Sequence, residues 1–121
     1  MNIKEAQDRV AAFAAERGWD VNLASQRGEH LVREIGRLME YTLYMEGVTT
    51  KAPTGTVEKQ LGDVLFSLLS MANHVGVDVE EQLRVAMKED AAKYPASEER
   101  REESLRAYTT KMRPMLSGLD R

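Results

Sequence analysis

Thr56-Val57-Glu58-Lys59-Gln60-Leu61-Gly62-Asp63-Val64-Leu65-Phe66-Ser67-Leu68-Leu69-Ser70-Met71-Ala72-Asn73-His74-Val75-Gly76 reads as one helix from cap to cap. Thr56 is a residue type that caps helix N-termini, and Gly76 is a natural C-cap. Between them Val57, Leu61, Val64, Leu65, Leu68, Leu69, Ala72 and Val75 recur at a helical spacing that points them inward. The second half is apolar on most faces, which predicts the central and most buried helix of its fold. Its apolar stretch, Val64 to Ala72, is far shorter than the roughly 18–20 residues a bilayer crossing needs, so no membrane span is expected.

Working outward, residues 47–56 have the composition of a loop. Before them a second helix runs to about Glu46, with Leu31, Val32, Ile35, Leu38, Met39, Thr42 and Met45 on one stripe. Gly47 closes it, and Asn22 or Ser25 is its expected N-cap. A first helix, with Ile3, Ala6, Val10, Phe13 and Ala14 in phase, ends near Gly18. Downstream, Asp78-Val79-Glu80-Glu81 has the form of a capping box. It opens a fourth helix carrying Val79, Leu83, Ala86 and Met87, which stops before Pro95. The last segment, Ser97 to about Met112, is heavily charged, with only Leu105, Tyr108 and Met112 as an apolar side. The reading is all-α: a four- to five-helix up-and-down bundle, with a helical domain over 1–96 and a charged C-terminal helix and tail over 97–121. So few short amphipathic helices leave part of the third helix uncovered, and a second copy of the chain is the simplest cover. A homo-oligomer, dimer or dimer of dimers, is expected.

Composition narrows the function classes. The chain of 121 residues is 42% hydrophobic, enough for a core and against intrinsic disorder. A net charge of −3 argues against general nucleic-acid binding, which shows as a basic excess. With no cysteine there is no disulfide, thiolate metal site or cysteine nucleophile. Met1-Asn2-Ile3-Lys4-Glu5 leads into a charged amphipathic run rather than an apolar leader, so a cytoplasmic protein is expected.

Chemistry gathers on the second and third helices. Glu34 and Arg37 are three apart and share a face, as do Gln60 and Asp63, each pair beside an apolar stripe. Polar groups at such borders converge between packed helices, where bundles build carboxylate metal sites. On the residues alone, Glu34 with Asp63 is a weak two-carboxylate signal, and ordinary boundary salt bridges explain the pairs better.

Leu31-Val32-Arg33-Glu34-Ile35-Gly36-Arg37-Leu38 resembles the L-x-E-E-x-G-E-L segment of the MazG-like, all-α nucleoside triphosphate pyrophosphohydrolases. Gln60 to Asn73 resembles that family's E-L-G-D-V-L-F-x-L-L-x-L-A-N. Val75-Gly76-Val77-Asp78-Val79-Glu80-Glu81, Lys93-Tyr94-Pro95 and Arg17-Gly18-Trp19-Asp20 continue the likeness, which covers roughly 1–96. The resemblance implies a MazG-type bundle that cleaves nucleoside triphosphates to monophosphate and pyrophosphate. It further implies Mg²⁺, an ion that takes hard oxygen ligands in octahedral geometry, held by two carboxylate pairs on successive helices. Residue by residue it assigns catalytic and metal roles to Glu34 and Asp63, and substrate contacts to Asn73, Lys88 and Lys93.

The sequence departs from that pattern at two ligand positions, where Arg37 and Gln60 stand in place of carboxylates, and Arg33 replaces a neighbouring Glu. The formal charge of the quartet falls from about −4 to −1. Arginine stays protonated and offers no acceptor, and a glutamine keeps one neutral oxygen. Arg37 has other roles open to it: pairing with Glu34 or Asp63, or meeting a phosphate. Glu40, Glu46 and Glu58 are out of helical phase to replace the missing ligands. Asn73 reads equally as a packing hydrogen bond, Lys88 and Lys93 as solvated lysines, Trp19 as core, and His30 and His74 as structural. Two functions follow: a pyrophosphohydrolase working on Glu34 and Asp63 with Arg37 on the phosphate, or an inactive nucleotide-sensing or protein-interaction module.

Overall fold

A computed structural model describes residues 1–112, and every regular element among them is helical. Five α-helices follow one another: α1 Ile3–Glu16, α2 Ala24–Met45, α3 Val57–Val75, α4 Val79–Lys93 and α5 Glu98–Ala107. A 3₁₀ turn at Trp19–Val21 joins α1 to α2, and a π-helical turn at Tyr108–Met112 extends α5. The all-α expectation holds. Pro114 with the rest of 113–121, and the side chain of Met112, lie outside the described residues.

The helix boundaries follow from local chemistry. The side chains of Asn2, Thr56, Asp78 and Ser97 each accept the backbone N–H three residues on, at 2.8, 3.2, 3.2 and 3.1 Å. Each satisfies an amide that the first helical turn leaves without a partner. The start of α2 differs from expectation. Leu23, not Asn22 or Ser25, takes the cap position, and its N–H donates to Gln26 Oε1 at 2.7 Å. The glutamine supplies the reverse half of a capping box, which needs no polar side chain at the cap itself. Gly18 and Gly76, both at φ +70°, provide the left-handed residue that ends a helix.

α2 and α3 form the main packed pair, and α1 lies along α3 and against the start of α4. Gln60 meets Glu34, while a Cβ at Gly28 would sit 3.6 Å from Met71 Cε, so α2 and α3 run antiparallel. On the opposite flank, Phe13, Trp19 and Phe66 pack edge to face with centroids 5.7–6.5 Å apart. A single polar residue fastens α1. Gln7, only 3% exposed, donates from Nε2 to the Val77 carbonyl at 2.6 Å and accepts the Val79 N–H on Oε1 at 3.1 Å. The Asn73 amide donates to the Gln7 carbonyl at 3.1 Å.

α3 has the most buried positions of the five helices, and part of its apolar side stays uncovered, as expected. The inward reading of individual residues is what burial corrects: Leu61, Leu65, Leu68 and Val75 remain half exposed, and only Leu69 among its leucines is buried. Its buried positions are Gln60, Ser67, Leu69, Ser70 and Ala72, a largely small or polar set that lets its neighbours approach closely. α4 and α5 bury no residue, and α5 packs substantially only on its own π-turn extension. The tight unit is therefore α1–α3, with α4 leaning on α1. On α2, Val32, Ile35 and Met39 are likewise exposed. Each strip recurs at spacings of three and four and lies roughly 100° around its helix from the Glu34–Gln60 contact. Because the helices are antiparallel, both strips fall on the same side of the hairpin, where Leu65 also borders a groove lined by Ala6, Val10 and Phe13 of α1.

The loop between α2 and α3 is fixed at both ends. The Val48 and Thr49 N–H groups donate to the Leu43 carbonyl at 2.9 and 3.4 Å. The buried Tyr41 hydroxyl donates to the Thr54 carbonyl. Gly55 follows at φ +89°, and a Cβ there would lie 2.9 Å from the Tyr41 hydroxyl. Gly55→Ala is therefore expected to cost roughly 1–3 kcal/mol, through strain and through displacement of Tyr41. Tyr41→Phe, which only removes the donor, should cost about 1 kcal/mol. Urea melts of both variants would order them, and equal stability of Gly55→Ala and wild type would contradict this account of the loop.

Candidate functional site

The four positions singled out on α2 and α3 do not converge as a quartet. Gln60 and Glu34 meet directly. Gln60 Nε2 donates to Glu34 Oε2 at 2.7 Å and to the Glu34 carbonyl at 2.9 Å, with Gln60 3% and Glu34 8% exposed. The buried carboxylate is thus satisfied by an amide, which supplies the donor that burial demands. His30, one turn earlier on α2, brings Nε2 to 3.8 Å from Glu34 Oε1. The i, i+4 spacing of His30 and Glu34 was the available signal for this neighbour.

Asp63 turns to its own helix and pairs with Lys59. Arg37 is exposed and forms no ion pair with Glu34 or Asp63 among the described residues. It lines a cavity of about 420 Å³ between α2 and the 47–56 loop, with Glu40, Thr49, Lys51, Pro53 and Thr54. Asn73 spends its amide on Gln7, in keeping with the packing role open to it in the sequence. Lys88 and Lys93 are exposed on α4, which packs on α1, so the chain does not bring them to Glu34 and Gln60. Lys93 Nζ lies 5.3 Å from the Tyr94 ring. Trp19 belongs to the aromatic trio with Phe13 and Phe66.

The donor set decides whether Mg²⁺ fits. Two carboxylates, one amide and one guanidinium do not make the cluster of hard, anionic oxygens that the ion selects. Among the described residues no three His, Asp or Glu side chains gather closely enough to hold a metal. The residues present do not fit the multi-ion site that the motif resemblance implies.

No family model matches the chain, and no curated protein or solved structure matches it significantly. The chemistry of the site must be read from its own residues and from the motif likeness.

Three participants escaped the sequence reading. Gln7 sits in phase with Ile3, Val10 and Ala14 on an apolar stripe, and a polar residue there signals a buried hydrogen bond. Tyr41 and Lys51 gave no comparable signal, because their roles depend on how the 47–56 loop folds back over α2.

The Glu34–Gln60 contact predicts opposite behaviour for two substitutions. Gln60→Ala orphans a buried carboxylate and should cost about 2–3 kcal/mol in urea unfolding at neutral pH. Gln60→Glu places a second carboxyl within hydrogen-bond distance of the first, so the folded pair holds a proton more tightly than the unfolded chain does. Its deficit relative to wild type should be small below the ordinary glutamate pKa of about 4.3 and grow as pH rises through the raised value of the pair. A pH-independent deficit would show that the two side chains do not meet.

Proposed function

We propose that this chain is a relative of the MazG-like nucleoside triphosphate pyrophosphohydrolases that retains nucleotide binding while its metal-dependent hydrolysis is weak or lost. The observation that carries the reading is the 2.7 Å hydrogen bond from the Gln60 amide to Glu34 Oε2. In the family pattern a carboxylate pair occupies those positions, and the cation between them makes their repulsion tolerable. Here the amide removes the repulsion and with it the demand for a cation. Arg37, a fixed positive charge at a third ligand position, works in the same direction. Support for the family comes from the two motif segments on α2 and α3 and from the helical fold that pairs them.

The test is pyrophosphate release from the common NTPs and dNTPs with Mg²⁺ or Mn²⁺, for wild type and for Arg37→Glu/Gln60→Glu. At saturating nucleotide the double variant should turn over roughly ten- to a hundredfold faster than wild type, since it returns carboxylates to two ligand positions of the family pattern. Fast wild-type turnover would refute the loss of hydrolysis. Silence of both proteins would remove the pyrophosphohydrolase reading and leave the protein-interaction module.

The second reading has its own observation, the apolar side of the α2–α3 hairpin. Val32, Ile35, Met39, Leu61, Leu65 and Leu68 are 41–69% exposed while serines and a glutamine occupy buried positions of α3. So much contiguous apolar surface marks an interaction site, and self-association across a two-fold axis covers it with the same residues twice. We assign this face to a homodimer, or to the first interface of a dimer of dimers. Light scattering should give a multiple of 13.7 kDa for wild type and the single-chain mass for Leu65→Glu and for Met39→Glu. A monomeric wild type at micromolar concentration would rule the homodimer out.

A further inference from the structure

The cavity beside Arg37 has features that hydrolysis at Glu34 and Asp63 does not use. Its cations are Arg37 on α2 and Lys51 on the loop, against the single carboxylate of Glu40. Neither cation is paired with an acid among the described residues. Thr49 and Thr54 add hydroxyl groups to the lining. The walls are held in place. Leu43 accepts the Val48 and Thr49 amides at one end of the loop, and Tyr41 holds the Thr54 carbonyl at the other. A volume of about 420 Å³ falls within the range of small-molecule sites. Guanidinium and ammonium groups that no carboxylate neutralises, in a concavity with a fixed rim, select an oxyanion. The planar fork of Arg37 favours phosphate oxygens in particular.

We propose that this cavity is a metal-independent phosphate site, in which Arg37 and Lys51 hold the phosphate groups of a small phosphorylated ligand. The substitution that removes a metal ligand at position 37 thereby gives the helix a fixed cation, and Lys51 supplies the second from the loop. Binding here needs neither Glu34 nor Asp63. The choice of a nucleoside triphosphate among phosphorylated ligands rests on the function proposed above; the phosphate chemistry of the cavity does not.

Calorimetric titration of the full chain in EDTA, with ATP and separately with inorganic tripolyphosphate, tests the site. Both probes should bind wild type. Arg37→Gln and Lys51→Gln should each weaken binding about tenfold or more. Lys51→Arg should retain it. Arg33→Gln removes the same charge one turn away on α2, outside the cavity, and should leave affinity within about twofold at moderate salt. Helical circular dichroism of each variant checks that these exposed positions leave the fold intact. Tripolyphosphate binding with the expected sensitivity, and no tighter binding of ATP, would support the site and remove its nucleoside preference. Failure of both probes at millimolar concentration, or equal affinity of wild type and the Arg37 and Lys51 variants, would overturn it. Pyrophosphate release by a protein whose ATP affinity ignores Arg37 and Lys51 would overturn this site alone and leave the family reading standing.

Discussion

The contact between Gln60 and Glu34 sets how α2 and α3 lie against each other. It joins the two longest helices at a buried point, and one amide group serves both a side-chain oxygen and a helix carbonyl. Apolar faces tolerate sliding, because one leucine contact resembles the next. A buried carboxylate does not, because a displacement of one residue leaves it without its donor. The hairpin register is therefore specified by polarity rather than by shape. Gly28 against Met71 then allows the close approach that this hydrogen bond requires.

What could be read in the sequence was what depends on neighbours along the chain. The caps at Thr56, Asp78 and Ser97 and the closing glycines are local, and they stand where residue type puts them. Periodicity marked the apolar faces of α2 and α3 correctly but carried no statement of what covers them. A leucine facing a neighbour in its own chain and a leucine facing open surface have the same spacing. That is why Leu61, Leu65 and Leu68 read as core and stand half exposed.

The site shows the same division. The chemistry at positions 34, 37, 60 and 63 was legible, including the missing carboxylates, because residue type alone fixes charge and hydrogen-bonding capacity. The direction each side chain takes was not. Arg37 shares a helical face with Glu34, yet it lines the loop cavity, and Asp63 pairs with Lys59 one turn back. The Lys59–Asp63 pair is the ordinary i, i+4 contact of one helix, a competitor that the spacing did offer. The place of Arg37 depends on the Tyr41 anchor, which holds the 47–56 loop against α2, and no spacing rule announces a tertiary hydrogen bond to a loop carbonyl.

Gln7 carries a consequence for how the chain assembles. Its side chain closes hydrogen bonds with residues 70 and 72 positions later, and its carbonyl is met from 66 positions later. α1 leaves the ribosome before the elements it docks on, and its buried amide has no partner until Val77 and Val79 have emerged. The first helix is thus completed by the beginning of the fourth, and the loop closed between them spans most of the described chain. Such long closure is slow relative to the local α2–α3 hairpin. During synthesis the hairpin can form while α1 waits, and docking of α1 becomes the step that commits the bundle.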